Sequence, residues 1–467
     1  MNRHYRTAVV QTHADAIAVS TGLASSGIFD TYVVYEDPFG WWIAGGVAAE
    51  FVLGPNTVRV TQHGQTTESP WRGDPLAVVQ AFLATVDIAD WRAYGWSAFE
   101  LAYAIAGIAT DEHVLLHLVI PETEIQLTPE HALVRSLDRT MLARVEDALT
   151  VPPVPAPSSP HGSVDVRLDT TADSYQASVS AIVRDIQAGR LQKAVLSRVV
   201  PVEEKIDFPA SYLRGRRANT PARSFLLRMG GMQAFGFSPE TVVEVDPHQR
   251  VVSQPLAGTR ALTGDPEGDQ ALRDDLLADP KELHEHAISV KIAVDELTTA
   301  CRPETVIVEE FMAVKERGSV QHLASRVAGQ LPEDGNPWEA FAAVFPAVTA
   351  SGVPKHAAYE AIRTHEPSRG LYAGTVMTVG ADGSIDAALV LRSAFSFEGR
   401  TWLRAGAGVV AQSRPERELQ ETIEKLGSVR PHLVAQAKRP EPEIGIPSQV
   451  LVGVPSATMV GSTGDVA

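Results

Sequence analysis

Short polar motifs in the C-terminal two-thirds of the chain carry side chains that suit acid–base chemistry. Lys193 in LQKAVLSR comes just before an apolar strand, where partial burial would favour the neutral amine and make a usable base. Glu240 in GFSPE occupies a turn, where a carboxyl group could protonate a leaving hydroxyl. His322 in RGSVQHLASRV is a third candidate. Taken singly, each has an ordinary alternative: a surface lysine, a capping or loop carboxylate, and a packed core histidine.

Two predicted helices carry carboxylates at helical spacing. Glu282 and Glu285 lie one turn apart in KELHEHAISV, and Glu418 and Glu421 do so in ERELQETIEKL. If these helices face each other, their carboxylates could hold Mg²⁺, which prefers oxygen ligands and keeps several waters. Spacing does not show that they face each other, and it equally suits a solvated face with an i to i+4 pair between Glu421 and Lys425.

Other residues could bind an anionic ligand. Arg392 in VLRSAF suits a bidentate carboxylate clamp, although a structural ion pair would use the same residue. Gly406 and Gly408 in RAGAGVV can bring backbone N–H groups close to a carboxylate. The sequence therefore offers cations and N–H donors for an anion as well as an acid and a base.

Composition excludes several classes of protein. The 467 residues carry a net charge of −17, which argues against nucleic-acid and anionic-membrane binding. Cys301 is the single cysteine, so no intrachain disulfide or thiolate metal cage can form. The N-terminus lacks the apolar core of a signal peptide, and no segment approaches the roughly 20 apolar residues of a membrane span. We expect a soluble, cytoplasmic protein.

The element pattern predicts strands alternating with helices on both sides of a proline-rich segment, VPPVPAPSSPHGS, residues 151–163. One strand is predicted over AALVLRSAFSF, residues 387–397, and one helix over residues 416–434. In that helix Leu419, Ile423 and Leu426 form an apolar stripe for the core. The segment after about residue 437, rich in Pro, Gly, Ser and Thr, is predicted to be disordered.

Taken together, the motifs resemble those of the chorismate-utilising enzymes, strongly over about residues 175–435 and loosely before them. The resemblance implies an α/β (α+β) fold in which two stacked antiparallel sheets are surrounded by helices. It implies a single domain over residues 1–437, made of an N-terminal part (1–150), a connecting loop (151–163) and a core catalytic part (175–435), followed by a tail (438–467). The motifs that carry the resemblance are GFSPE, PLAGTR, EHAISV, RGSVQHLASRV, FPAVTASGVPK, RGLYAG, LRSAF, WLRAGAG and ERELQETIEKL.

The resemblance also implies a cofactor and a substrate. Glu285 and Glu421 correspond to Mg²⁺ ligands, with Glu418 supporting through water. The substrate is chorismate, and the metal neutralises its ring carboxylate. The residues implied in gripping chorismate are Lys425, Tyr372, Arg392 and the backbone of Gly406 and Gly408.

Lys193 and Ala257 indicate the branch of the family. Anthranilate synthases typically place Gln where this chain has Lys193, and aminodeoxychorismate synthases place a nucleophilic lysine where it has Ala257. Lys193 therefore resembles the base of the water-using branch, which activates water for attack at C2 while Glu240 protonates the departing C4 hydroxyl. The chain carries no fused glutamine amidotransferase, and we expect a monomer that needs no such subunit.

The motifs most resemble the salicylate synthases of siderophore pathways, in which isochorismate then loses pyruvate. That pericyclic step depends on pocket shape rather than on a new acid or base. The candidates for shaping the pocket are Thr259, His322 and Thr349, and Gly258 is a further candidate for binding the substrate. An isochorismate synthase, an aminating relative and a non-catalytic binding protein or partner-dependent subunit remain alternatives.

Overall fold

Two large antiparallel sheets form the framework. The computed structural model describes residues 3–12, 15–150, 164–318 and 320–436, so the predicted loop 151–163 and tail 438–467 lie outside the described residues. The described residues up to Gln436 group into one compact unit. Among the helices described, none has the length and apolar content to cross a membrane.

The strands of the described residues are β1 (Arg6–Gln11), β2 (Tyr32–Asp37), β3 (Gly40–Gly45), β4 (Ala49–Leu53), β5 (Thr57–Gln62), β6 (Gln65–Pro70), β7 (Arg92–Ser97), β8 (Leu116–Ile120), β9 (Thr123–Leu127), β10 (His131–Ser136), β11 (Lys193–Val202), β12 (Arg223–Met229), β13 (Met232–Ser238), β14 (Thr241–Val245), β15 (Arg250–Ser253), β16 (Leu256–Ala261), β17 (Ile307–Arg317), β18 (Val320–Gln330), β19 (Gly352–Val353), β20 (Thr375–Gly380), β21 (Ile385–Leu389), β22 (Ser393–Phe397) and β23 (Arg400–Val409).

The helices are α1 (Ala16–Ser25), α2 (Pro75–Leu83), α3 (Leu101–Ile105), α4 (Arg139–Thr150), α5 (Ala172–Gln187), α6 (Phe208–Ala218), α7 (Pro266–Ala278), α8 (Pro280–Ala300), α9 (Pro337–Val344), α10 (Lys355–His365) and α11 (Pro415–Leu426).

The first sheet has 11 strands in the order β1-β10-β9-β3-β2-β12-β13-β22-β23-β11-β19. The second has 12, in the order β16-β18-β15-β14-β21-β20-β7-β8-β4-β5-β6, with β17 paired to β18. Side chains alternate between the two faces of each strand. Val33 and Tyr35 of β2 belong to the same apolar cluster as Phe51 of the second sheet, whereas Val34 belongs to the cluster that includes Tyr212 of α6. The sheets are therefore stacked, and helices cover the outer face of the first, which confirms the predicted fold class.

Two segments pass from one sheet to the other. β13 and β22 belong to the first sheet, whereas β14 and β21 belong to the second. The prediction of one strand over residues 387–397 is therefore wrong, because β21 ends at Leu389 and β22 begins at Ser393. Between them Arg392 has a φ of 51°, a left-handed conformation that interrupts extended backbone. The crossings are hydrogen-bonded to each other, since Leu389 N donates to the backbone oxygen of Glu240 at 3.2 Å.

Helix α11 differs from its prediction in length and in its buried face. It ends at Leu426, because Gly427 is a poor helix former and Pro431 lacks a backbone donor. Its buried residues are Glu418, Thr422 and Leu426. Leu419 and Ile423 of the predicted apolar stripe are only half-buried. The polar side of the helix is thus turned inward.

Candidate active site

Lys193 and Glu285 form a buried ion pair between β11 and α8. Lys193 Nζ donates to Glu285 Oε1 at 2.6 Å, and Lys193 is only 6% exposed. Burial would raise the pKa of Glu285, but the Lys193 ammonium outweighs it and holds this pKa below its ordinary value. A Cβ atom at Gly408 would lie 3.1 Å from Glu285 Oε1 and 3.3 Å from Lys193 Cε. Glycine at this position therefore keeps the space beside the pair open.

Glu240 lies on the crossing between β13 and β14 and is 2% exposed. The Thr349 hydroxyl donates to Oε1 of this carboxyl group, and the backbone N–H of Leu256 favours its ionised form. Burial raises the pKa of Glu240 to about 8, although these groups and the charges of Lys193 and Arg392 act to lower it. A carboxyl group with this pKa is mainly protonated at neutral pH, as a general acid must be.

Thr259, His322 and Arg392 form a hydrogen-bonded row. His322 Nδ1 lies 2.9 Å from Thr259 Oγ1 and 3.3 Å from the carbonyl oxygen of Gly258. That carbonyl can only accept, so the proton lies on Nδ1 and Nε2 accepts from Arg392 Nη2. Burial and the Arg392 charge lower the pKa of His322 well below its ordinary value. His322 is therefore neutral and orients Arg392; Nη1 of Arg392 donates to the carbonyl oxygen of Arg317 at 3.0 Å.

Lys425 links α11 to β23. Its Nζ donates to the Gly406 carbonyl oxygen at 2.9 Å and lies 2.8 Å from Glu421 Oε1. Burial alone would lower the pKa of Lys425, but the Glu421 carboxylate outweighs it and holds this pKa above its ordinary value. Tyr372 is buried, and burial raises the pKa of its phenol, which therefore stays protonated. A lysine cation and a phenol donor are thus both available here for an anionic ligand.

The carboxylates of α8 and α11 converge. Burial raises the pKa of Glu282, and so do the negative charges of Glu285 on the same helix and of Glu421 on α11. Burial and the charge of Glu421 likewise raise the pKa of Glu418. This repulsion between like charges would be relieved by a cation, and the donors are all carboxylate oxygens, so the set fits Mg²⁺ in chemistry. Within the described ranges no three His, Cys, Asp or Glu side chains are close enough to hold an ion alone, so water or substrate would have to complete the coordination.

A buried ionic network supports the strands of the site. Glu366 Oε1 accepts from Ser197 N at 2.7 Å and from Arg369 Nη2 at 2.8 Å, and Oε2 accepts from Arg404 Nη2 at 2.8 Å. Burial alone would raise the pKa of Glu366, but the two guanidinium groups outweigh it and lower this pKa. Arg369 and Arg404 fall within motifs of the family resemblance, whereas Glu366 does not, so sequence reasoning missed this network.

Glu366→Gln is expected to lower the free energy of unfolding by about 3–5 kcal/mol, because two buried guanidinium groups lose their counter-ion. The measurement is chemical denaturation followed by circular dichroism. Glu360→Gln on α10 is the matched control, since Glu360 is exposed. A loss no larger than that of the control would contradict the structural importance of the network.

The structure thus brings the predicted residues together from both sheets and from two helices. Lys193, Gly406 and Gly408 come from the first sheet, and Thr259 and His322 from the second. A buried lysine and a buried neutral carboxyl group, beside cations for an anionic ligand, would suit an acid–base enzyme with a two-sheet α/β fold.

Comparisons with known proteins identify the family. The model of the chorismate binding enzyme family matches residues 30–431. The chain is 41% identical over 428 residues to the salicylate synthase of Mycolicibacterium paratuberculosis, which covers 91% of this chain and 94% of that protein. The protein therefore belongs to the chorismate-binding enzyme family.

Other relatives agree with this assignment. Anthranilate synthase component 1 of Bacillus caldotenax is 37% identical over 262 residues, which is 56% of this chain and 51% of that protein. Anthranilate synthase component I of Streptococcus pneumoniae shares the fold with a TM-score of 0.71 and 24% identity, over 85% of this chain and 92% of that one. The menaquinone-specific isochorismate synthase of Escherichia coli gives a TM-score of 0.69 and 22% identity, over 92% of this chain and 94% of that one.

Proposed function

We propose that this protein is a salicylate synthase, which converts chorismate to isochorismate and then to salicylate and pyruvate. The main support is the 41% identity to a salicylate synthase over almost the whole of both chains. The buried pair of a lysine base and a neutral carboxylic acid agrees with a first step that adds water and removes a hydroxyl.

In the first step, Lys193, once its ammonium has released a proton, takes a proton from the water that attacks C2 of chorismate, and Glu240 donates its proton to the hydroxyl that leaves C4. Glu240 is equipped for this role because burial keeps it protonated near neutral pH. Arg392 and Lys425, with Tyr372 and the glycines at 406 and 408, would hold the carboxylates of the substrate.

In the second step, isochorismate loses pyruvate by transferring the C2 hydrogen to the enolpyruvyl arm, without an external acid or base. The enzyme has only to hold the arm in the reactive conformation. His322 and Thr259, which are hydrogen-bonded to each other, would limit the pocket on one side, and Thr349, whose hydroxyl donates to Glu240, would do so next to Glu240. Should this shape fail to fold the arm over C2, the reaction would stop at isochorismate, which is the second candidate function.

Glu285 and Glu421, with Glu418 acting through water, would hold Mg²⁺, which would neutralise the ring carboxylate of chorismate. We expect excess EDTA to abolish conversion of chorismate and added Mg²⁺ to restore it. The test compares turnover before and after chelation and adds a binding measurement, in which Mg²⁺ raises the melting temperature of the wild type but not of Glu421→Gln. Full activity in excess EDTA would contradict this assignment.

The function is tested by incubating the purified protein with chorismate and Mg²⁺ in the absence of ammonia. Chromatography follows isochorismate and salicylate, and a coupled assay follows pyruvate. Salicylate and pyruvate in equal amounts are expected. Isochorismate alone would identify an isomerase, and a product that forms only with ammonia would place the protein in the aminating branch. The siderophore pathway, the cytoplasmic location and the monomeric state remain predictions.

A further inference from the structure

A small cavity adjoins Glu240 on the side of α8. Its volume is about 20 Å³, and its polar lining includes Glu240, Thr349, Ser253, Gln254 and Glu296. A space of this size holds a water molecule when two or more polar groups are present to bind it. The carboxyl, hydroxyl and amide groups of the lining meet that condition.

Glu240 has an oxygen with bonding capacity left for such a water. Oε1 accepts the Thr349 hydroxyl, whereas Oε2 is buried and bonds to none of the described residues. A buried polar atom left without a hydrogen bond is destabilising, so a water in the cavity would stabilise this carboxyl group. Glu240 therefore supplies one end of a hydrogen-bonded path.

Glu296 supplies the other end. Its Oε1 accepts from Lys355 Nζ at 2.7 Å, and its side chain remains 18% exposed, so it can exchange protons with solvent. Lys355 is fixed in turn by the Val344 carbonyl oxygen at 3.1 Å. Burial raises the pKa of Glu296 despite the Lys355 charge, which makes its protonated form more accessible. Glu296 thus lines the cavity and also reaches solvent.

We propose that water in this cavity relays a proton from Glu296 to Glu240 after each turnover, so that Glu296 recharges the catalytic acid. The proposal rests on the proposed function, in which Glu240 gives up one proton per chorismate. The water donates a proton to Glu240 Oε2 while it takes one from the Glu296 carboxyl group, and Glu296 regains a proton from solvent. The proton that Lys193 has accepted leaves separately, so the balance over one cycle closes.

The test is Glu296→Gln, which keeps an oxygen acceptor for Lys355 but has no exchangeable acid proton. Because Glu240 begins protonated, the first turnover of chorismate should run at the wild-type rate. Later turnovers should slow at least tenfold, which gives a burst in rapid-quench experiments. Conversion of isochorismate to salicylate should be unchanged. The exposed Glu360→Gln is the control, and Ala293→Val, which fills the cavity while leaving Glu296 and Lys355 paired, should give the same burst.

Steady-state rates of Glu296→Gln and Ala293→Val within twofold of the control would overturn the relay, as would a first turnover slowed as much as later ones. If Glu296→Gln does not fold, Ala293→Val alone decides between these outcomes. A wild type that converts no chorismate without ammonia would overturn the proposed function and the relay together. If the wild type forms salicylate and both Glu296→Gln and Ala293→Val turn over at the control rate, the relay is overturned and the proposed function stands.

Discussion

Lys193→Ala is expected to lower chorismate turnover by about 10²–10⁴-fold, because the amine is the group that activates water. Turnover of supplied isochorismate to salicylate should remain measurable, since that step uses no base. Both rates are measured by chromatography on the same preparation. A simple loss of folding would abolish both activities, so it would not produce a loss of chorismate turnover with isochorismate turnover retained.

Two further variants control for the ion pair. Lys193→Gln keeps a donor that can reach Glu285 but cannot take a proton, so it should be as inactive toward chorismate as Lys193→Ala. Lys291→Ala, on the exposed side of α8, should turn over normally, since Lys291 is 73% exposed. Unchanged chorismate turnover in Lys193→Gln would remove Lys193 as the base.

Glu240→Gln is expected to reduce chorismate turnover by a similar factor of about 10²–10⁴, because the amide has no acidic proton for the C4 hydroxyl. The Thr349 hydroxyl can still donate to the amide oxygen, so the local structure should persist. Glu360→Gln serves as the matched control. A Glu240→Gln enzyme that works at the rate of this control would exclude Glu240 as the acid.

The pH dependence gives Glu240 a second test. Its pKa is about 8, and the protonated form is the active one, so the acid is available below pH 8 and is lost as pH rises through this value. In the wild type, kcat/KM for chorismate should fall about tenfold per pH unit above pH 8. This limb should be absent from the residual activity of Glu240→Gln. A wild-type profile that stays flat to pH 10 would contradict the assignment.

The sequence predicted the fold class, because the motifs of the family resemblance carry it, and it named side chains from distant motifs that the structure brings near one another. It did not show which face of α11 points inward. Apolar spacing favoured Leu419 and Ile423, yet the helix buries Glu418 and Thr422. A polar face can be buried where other elements bring hydrogen-bond partners to it, as β11 does here with Arg198, whose Nε donates to Thr422 Oγ1 at 2.8 Å. Such an arrangement depends on contacts between distant parts of the chain, which periodicity does not record.

The same limit explains the strand over residues 387–397 and the network around Glu366. Leu389 and Ser393 belong to one apolar run in the sequence, and only the left-handed Arg392 shows that the run divides between sheets. Glu366 has no motif of its own, and its importance arises from two arginines that other elements bring to it. The burial of such a charge cannot be read from the sequence and is seen only in the folded structure, where its partners surround it.

The division of the site between the two sheets makes its chemistry sensitive to remote packing. Lys193 begins a strand of the first sheet, whereas Glu240 and Arg392 lie where the chain passes between sheets. The two sheets meet in the apolar layer that contains Tyr35 and Phe51, so packing in this layer contributes to the separation of Lys193 from Glu240. A small change of volume in that layer would shift one sheet against the other. We therefore expect core substitutions that contact neither substrate nor metal to change the relative rates of the two proposed steps.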